Sequence, residues 1–441
     1  MPQATYEFPH GFLWGTATAA HQVEGRNTNN TWHDWENQPG RIKDGHRSGL
    51  AGDWWGGRWQ EDLDRALADG QNAHRLSVEW SRIQPSPGSW DQKAIDQYLR
   101  MVRGINQRGM TPMVTLHHFS DPLWLMEMGG WEHEDTPALF NDFSRKIVEA
   151  LKDEVNLWCT INEPNVYIFG AYVDGSFPPG KQNMDTAFAV LCNLARGHAA
   201  AYHTIHEIQP HARVGIAHHY RSFKAARSWL PLDKLVADSL SKIFNSAFPN
   251  VLADGTLNFI YTKEKIPEAV NTQDFFGLNY YTRDMVKFTL SPGGFLSKRF
   301  LPKDAELSGT GFIANVPEGL SEAIKWANGY GLPIMITENG VEEPDDKLRP
   351  RYIAEHLHQV WRMLNHNYPV QGYFYWTLTD NFEWERGWTQ RFGLWKLDET
   401  TQERIRRPCA DLYAAICKEN AISHDTIQKF APKALAKLFP E

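Results

Sequence analysis

The chain alternates, eight times over, between a short apolar, β-prone run and a longer stretch whose apolar residues recur at helical spacing. The strand candidates are 11–18, 73–80, 113–117, 157–162, 214–217, 275–279, 334–337 and 373–376. The helix candidates are 60–69, 91–108, 137–151, 186–208, 232–246, 318–328, 352–366 and 408–419. Such alternation demands a parallel sheet covered by helices, either as a closed (β/α)8 TIM barrel or as an open, doubly wound sheet. The barrel is favoured because nearly every strand ends in polar or aromatic residues: Gln22, Arg75, His118, Glu163, Tyr281, Glu338 and Trp376. Barrel enzymes place chemistry at the C-terminal ends of all their strands, whereas an open sheet uses mainly those at its switch point. With no internal repeat and no linker, residues 1–441 read as a single barrel domain whose long βα loops form the rim. One such loop is expected over 283–311. Residues 420–441 read as a C-terminal extension, with Ile427, Phe430, Ala434, Leu435 and Leu438 lining a short amphipathic helix outside the barrel.

Charge narrows the partners. With 53 acidic against 45 basic residues, a net charge of −8 and no Lys/Arg block, nucleic acid is not expected. No run approaches the roughly 18 apolar residues of a membrane span, and residues 1–10 lack a basic-then-apolar leader, so a cytoplasmic protein is expected. Cys159, Cys192, Cys409 and Cys417 are scattered and read as reduced thiols; the sequon at Asn29 carries no weight in that setting. The 18 Trp exceed what core packing usually recruits, and flat rings with a polar edge suit small amphipathic ligands such as sugars. Oligomeric state stays open, a homo-oligomer included.

Two strand ends carry the chemistry. The run 157–162 closes in Asn162-Glu163-Pro164, and 334–337 closes in Glu338-Asn339-Gly340. One such carboxylate is usually structural; two, in aromatic surroundings, suit glycoside hydrolysis, which needs one carboxyl to protonate the leaving oxygen and another to attack or stabilise the anomeric carbon. Arg75 is the cation expected nearest Glu338, favouring its ionised form, so Glu338 reads as nucleophile. Glu163, its proton retained by the neighbouring charge, reads as acid and then base.

Thr160-Ile161-Asn162-Glu163-Pro164 and Ile336-Thr337-Glu338-Asn339-Gly340 resemble the acid/base and nucleophile signatures of glycoside hydrolase family 1, the β-glucosidase family. The resemblance extends over 8–15, Gln22-Val23-Glu24-Gly25, His74-Arg75-Leu76-Ser77, Leu116-His117-His118-Phe119, Asn279-Tyr280-Tyr281 and 376–384, in the family's order and across residues 8 to 418. It implies a (β/α)8 barrel, a retaining exo-β-glycosidase, and the assignments Glu163 as acid/base and Glu338 as nucleophile. It also implies that Asn162 meets the sugar 2-hydroxyl, that Gln22, His118 and Trp384 meet the 3- and 4-hydroxyls and Glu383 the 4- and 6-hydroxyls, that Trp376 forms a stacking floor and that Tyr281 orients Glu338. Arg75 and Asn279 are supporting residues. Two stretches depart from the family: Ala217-His218-His219-Tyr220, where relatives often carry an Asn on the leaving-group side, and Glu385-Arg386-Gly387-Trp388.

The expected activity is β-glucosidase action on terminal β-D-glucosyl residues of cellobiose-like oligosaccharides and aryl β-glucosides, with β-galactosidase or β-fucosidase side activity and transglycosylation. A 6-phospho-β-glycosidase is the nearest rival, disfavoured because a carboxylate at Glu383 would repel a phosphate carrying about −1.5 to −2 charge. A non-catalytic sugar-binding protein would have no need of both glutamates. No cofactor and no metal are expected: His117-His118 and His218-His219 each offer one inward side chain, His203 and His206 lack zinc-protease order, and Gly309-Thr310-Gly311 has no strand before it.

Overall fold

The computed structural model describes residues 4–291 and 295–440. Met1, Pro2 and Gln3, Pro292 to Gly294 of the expected rim loop, and Glu441 of the C-terminal extension lie outside the described residues. Eight parallel strands close on themselves: β1 (Leu13–Ala17), β2 (Ala73–Ser77), β3 (Thr111–His117), β4 (Leu157–Asn162), β5 (Arg213–Ala225), β6 (Phe276–Phe288), β7 (Ile334–Asn339) and β8 (Val370–Trp376). Each pairs with the next, β8 pairs with β1, and the cycle is complete. The open doubly wound alternative is excluded by that closure.

Between the strands run α1 (Trp59–Ala68), α2 (Gln92–Gln107), α3 (Thr136–Leu151), α4 (Met184–Ile208), α5 (Pro231–Ser241), α6 (Glu318–Asn328), α7 (Arg349–Asn365) and α8 (Pro408–Glu419). α2 illustrates why they form: the Asp91 side chain accepts from the backbone N–H of Lys93 and Ala94, and Ile95, Tyr98, Val102 and Ile105 make one buried stripe. The strands are buried on both faces, which explains their near-continuous apolar character. At the β5–β6 seam the backbones approach so closely that a Cβ on Gly215 would meet the Phe275 carbonyl oxygen at 2.5 Å, and one on Gly277 the Ile216 oxygen at 2.3 Å. Glycine there permits the seam.

The strand expected over 73–80 ends at Ser77, with Trp80–Ile83 a short helix, and the single helix expected in the tail is broken into His424–Phe430 and Leu435–Leu438; two further segments differ. β5 and β6 run well past Ala217 and Asn279, and Ser297–Phe300 adds antiparallel to β6, so the expected rim loop over 283–311 begins as a sheet extension. The charged residues that disguised it are paired across elements: Arg221 with Asp284, and Arg283 with Glu322. The helix expected over 232–246 ends regular α geometry at Ser241, widens through Lys242–Ser246 and resumes at Ala247–Asp254. At the other end Ala421–Ser423 pairs antiparallel with Thr5–Glu7, and Ile427, Ala434 and Leu438 are buried in the outer core while Tyr6 stacks on Phe439. Among the described residues no helix is long and apolar enough to cross a membrane.

Candidate active site

A cavity of about 140 Å³ opens at the C-terminal ends of the strands, walled by His118, Asn162, Glu163, Tyr281, Glu338, Trp376, Glu383 and Trp384. Glu338 lies in β7, and Glu163 caps the short helix Pro164–Ile168 that follows β4. Glu163, Phe119 and Trp384, all on the wall, have φ of +41°, +67° and +48°. Left-handed backbone costs such residues roughly 1–3 kcal/mol each, and its gathering around one cavity marks a site held in shape by its surroundings.

Arg75 organises the floor. Its Nη1 donates to Glu338 Oε1 at 2.5 Å, its Nη2 to Asn162 Oδ1 at 2.6 Å and its Nε to Thr115 Oγ1 at 3.0 Å. A guanidinium only donates, so the Asn162 atom facing it is the oxygen, and Asn162 Nδ2 must donate to His118 Nε2, 3.0 Å away. His118 therefore carries its hydrogen on Nδ1, and burial together with Arg75 holds the ring well below its usual pKa, neutral. That Nδ1–H is buried without a partner among the described residues.

The two carboxylates are held differently. Glu338 accepts on both oxygens, from Arg75 and from the Tyr281 hydroxyl at 2.6 Å, the arrangement an ionised carboxylate uses in full. Burial pushes its pKa up to about 7; Arg75 opposes that shift and the charge of Glu163 adds to it. The Arg75 cation and the Tyr281 hydroxyl both aim at Glu338, so the geometry favours the ionised form of that carboxyl against the pull of burial. Glu163 Oε1 accepts from Asn279 Nδ2 at 2.8 Å and lies 2.9 Å from His219 Nδ1. Asn279 is oriented in turn by Thr337, whose hydroxyl donates to its Oδ1 at 2.6 Å.

On the far wall Gln22 Nε2 and Asn381 Nδ2 donate to Glu383 Oε2 at 3.1 and 3.0 Å. Burial pushes Glu383 up to about 8, against hydrogen bonds from Asn381 and Trp376. Gln22 Oε1 and Asn381 Oδ1 are buried acceptors with no partner among the described residues. The His118 ring stacks between Trp376 and Trp384, 5.9 Å from each. The site thus brings together all the residues singled out from sequence: Glu163, Glu338, Gln22, His118, Asn162, Tyr281, Trp376, Glu383, Trp384, Arg75 and Asn279. His219 was singled out only as part of a departure and of a dismissed metal-ligand pair. Its contact with Glu163 follows from the extension of β5 beyond Ala217, and strand alternation continued two residues further would have pointed to it.

Burial revises one step of the phosphate argument. A Glu383 carboxyl raised to about 8 is largely neutral near pH 7, so its charge is not what excludes phosphate. Of the two arginines on the cavity wall, Arg221 is held through two nitrogens by both oxygens of Asp284, while Arg386 meets Glu385 through Nε alone.

A closed (β/α)8 barrel whose mouth sets two acidic strand ends in one aromatic, hydroxyl-matching cavity has the build of a glycoside hydrolase. The family model described as "Glycosyl hydrolase family 1" matches residues 4–422, and the chain belongs to that family. It is 32% identical to β-glucosidase A of Thermotoga maritima, over 94% of this chain and 99% of that one, and 28% identical to a β-galactosidase of Pyrococcus woesei, over 94% and 98%. Among solved structures, the β-glycosidase from Pyrococcus horikoshii superposes with a TM-score of 0.90 at 33% identity, covering 97% of this chain and 98% of that one. The β-glucosidase from Thermotoga maritima in complex with galacto-hydroximolactam superposes with a TM-score of 0.89 at 31% identity, covering 95% of this chain and all of that one. This chain is a glycoside hydrolase.

Proposed function

We propose that the enzyme is a retaining exo-β-glycosidase, foremost a β-glucosidase acting on terminal non-reducing β-D-glucosyl residues of cellobiose-like oligosaccharides and aryl β-glucosides. The observation that carries this is the unequal bonding of the two carboxylates: Glu338 is gripped on both oxygens by Arg75 and Tyr281, while among the described residues Glu163 is held on Oε1 alone. In the first step Glu338 attacks the anomeric carbon and the bond to the leaving oxygen breaks as Glu163 gives that oxygen its proton. Esterification removes the charge of Glu338, so Glu163, now a carboxylate, takes a proton from water as the water's oxygen displaces Glu338. A sugar hydroxyl in place of water gives transglycosylation.

His118 Nδ1, a buried donor without a partner among the described residues, belongs to a side chain on the cavity wall, where a ligand hydroxyl could satisfy it. Asn162 is assigned to the 2-hydroxyl, Gln22, His118 and Trp384 to the 3- and 4-hydroxyls, Glu383 to the 4- and 6-hydroxyls and Trp376 to the apolar face of the ring. A relative named β-galactosidase supports β-galactoside cleavage as a side activity, and β-fucoside cleavage is proposed beside it. The two-point grip of Asp284 on Arg221 takes that cation away from a 6-phosphorylated substrate, which remains the rival reading. Four buried free cysteines fit a reducing, cytoplasmic setting. Glu338→Gly assayed with an activated β-glucoside and azide tests the reading: formation of α-glucosyl azide supports it, and undiminished turnover without azide refutes the nucleophile.

A further inference from the structure

His219 lines the same cavity as Glu163 and lies beside it. Its Nδ1 is 2.9 Å from Glu163 Oε1, its ring stacks on Tyr281 at 5.7 Å and 25°, and Phe244 meets it edge-on at 5.8 Å. The backbone behind is fixed too: Asn165 Nδ2 donates to the His219 carbonyl at 2.8 Å and to the Phe244 carbonyl at 3.1 Å. The ring is thus clamped rather than free to turn away.

Two arrangements satisfy the 2.9 Å contact. Either Nδ1–H donates to Oε1, or a proton on Oε1 points at a bare Nδ1. The second would aim the acid's proton at the protein instead of at the leaving group. Oε1 already accepts from Asn279, whose amide cannot turn round, because its Nδ2 also faces Asn162 Oδ1 at 3.4 Å and its Oδ1 takes the Thr337 hydroxyl. Oε2, by contrast, has no hydrogen-bond partner among the described residues. Resting on the reading of Glu163 as acid/base, we propose that His219 is a positioning residue that donates Nδ1–H to Glu163 Oε1, so confining the acidic proton to Oε2, toward the glycosidic oxygen. The same hydrogen bond strengthens as Glu163 becomes a carboxylate, because a bond to an ionised acceptor is roughly twice as strong as one between neutral groups. It therefore assists most when the leaving group most needs the proton.

The test is kcat/KM, which reports the glycosylation step, over β-glucosides whose leaving groups run from 2,4-dinitrophenol to phenol to methanol. Wild type is compared with His219→Asn, His219→Gln, His219→Leu and Glu163→Ala, each checked for folding by circular dichroism. Asn sets its amide nitrogen near the place of Nδ1, while Gln sets it near that of Nε2; both lose the ring, so their difference isolates the hydrogen bond. The expectation is that His219→Asn stays within about threefold of wild type throughout. His219→Gln and His219→Leu should lose roughly tenfold to a hundredfold on phenyl and methyl glucosides and less than about threefold on the dinitrophenyl substrate, short of the roughly 10²–10⁴ that a whole general acid supplies. Equal losses on every leaving group, or His219→Gln matching His219→Asn, would overturn the proposal. Glu163→Ala separates the two layers. A leaving-group-dependent loss there with flat His219 variants sinks only the positioning role, and a flat Glu163→Ala sinks the acid/base reading together with it.

Discussion

Tyr281→Phe removes one oxygen atom from the site and leaves its packing intact. The ring's stacking on His219 and its edge contact with Phe392 at 6.1 Å would persist. What goes is the 2.6 Å hydrogen bond to Glu338 Oε2, from a phenol that burial and the Glu338 charge hold neutral, well above its ordinary pKa. That bond lowers the proton affinity of Glu338, so its loss must raise it. A hydrogen bond to a charged group contributes roughly 1.5–3 kcal/mol, and one pKa unit is about 1.4 kcal/mol, so the shift is roughly one to two units. Starting from about 7, a one-unit shift cuts the ionised fraction of Glu338 at pH 6 from about a tenth to about a hundredth. The acidic limb of kcat/KM for 4-nitrophenyl β-glucoside, followed from about pH 5 to about pH 9, should therefore move upward, with roughly tenfold extra loss at its acid end. A limb that stays put, with the rate reduced by one factor at every pH, would show that Tyr281 does not set the charge of Glu338.

Arg75→Lys keeps a cation but cannot bridge Glu338, Asn162 and Thr115 together; breaking such a buried pair should cost about 3–5 kcal/mol in chemical denaturation and reduce kcat/KM by at least roughly a hundredfold. For Glu383 the folded-state pKa, about 8, lies above the ordinary carboxylate value, so its protonated form favours the folded state. The stability it confers is complete below the unfolded-state pKa and is lost as pH rises toward about 8. Glu383→Gln should flatten that decline, by at most about 5 kcal/mol between acid and alkaline ends, read as unfolding free energy against pH. Gly215→Ala sets a methyl 2.5 Å from the Phe275 carbonyl oxygen and should destabilise the barrel by about 1–3 kcal/mol, seen as a lower melting temperature, with the leaving-group profile of the active site unchanged.

How much of this was legible without coordinates depends on whether the signal is local. β4 could be bounded at 157–162 because an apolar run ends against Pro164, which cannot donate to a ladder, and β7 because turn residues follow Glu338. Eight such elements constrain one another, so closure into a barrel was readable although no strand encodes it alone. The extension of β5 and β6 was not, because Arg221, Arg283 and Asp284 look like loop residues until Asp284 and Glu322 are seen to face the two arginines. Protonation was legible only in part. Arg75 could be matched to Glu338 as the cation a nucleophile needs, but the depth of burial that lifts Glu383 to about 8 is a property of the whole wall, built from residues 360 positions apart such as Gln22 and Phe382. His219 belongs to both classes of omission. Its reach to Glu163 depends on strand length, and its meaning depends on which oxygen of Glu163 is already occupied. The same fact that hid it makes it testable, since a residue acting through one hydrogen bond must change how reactivity varies with the leaving group.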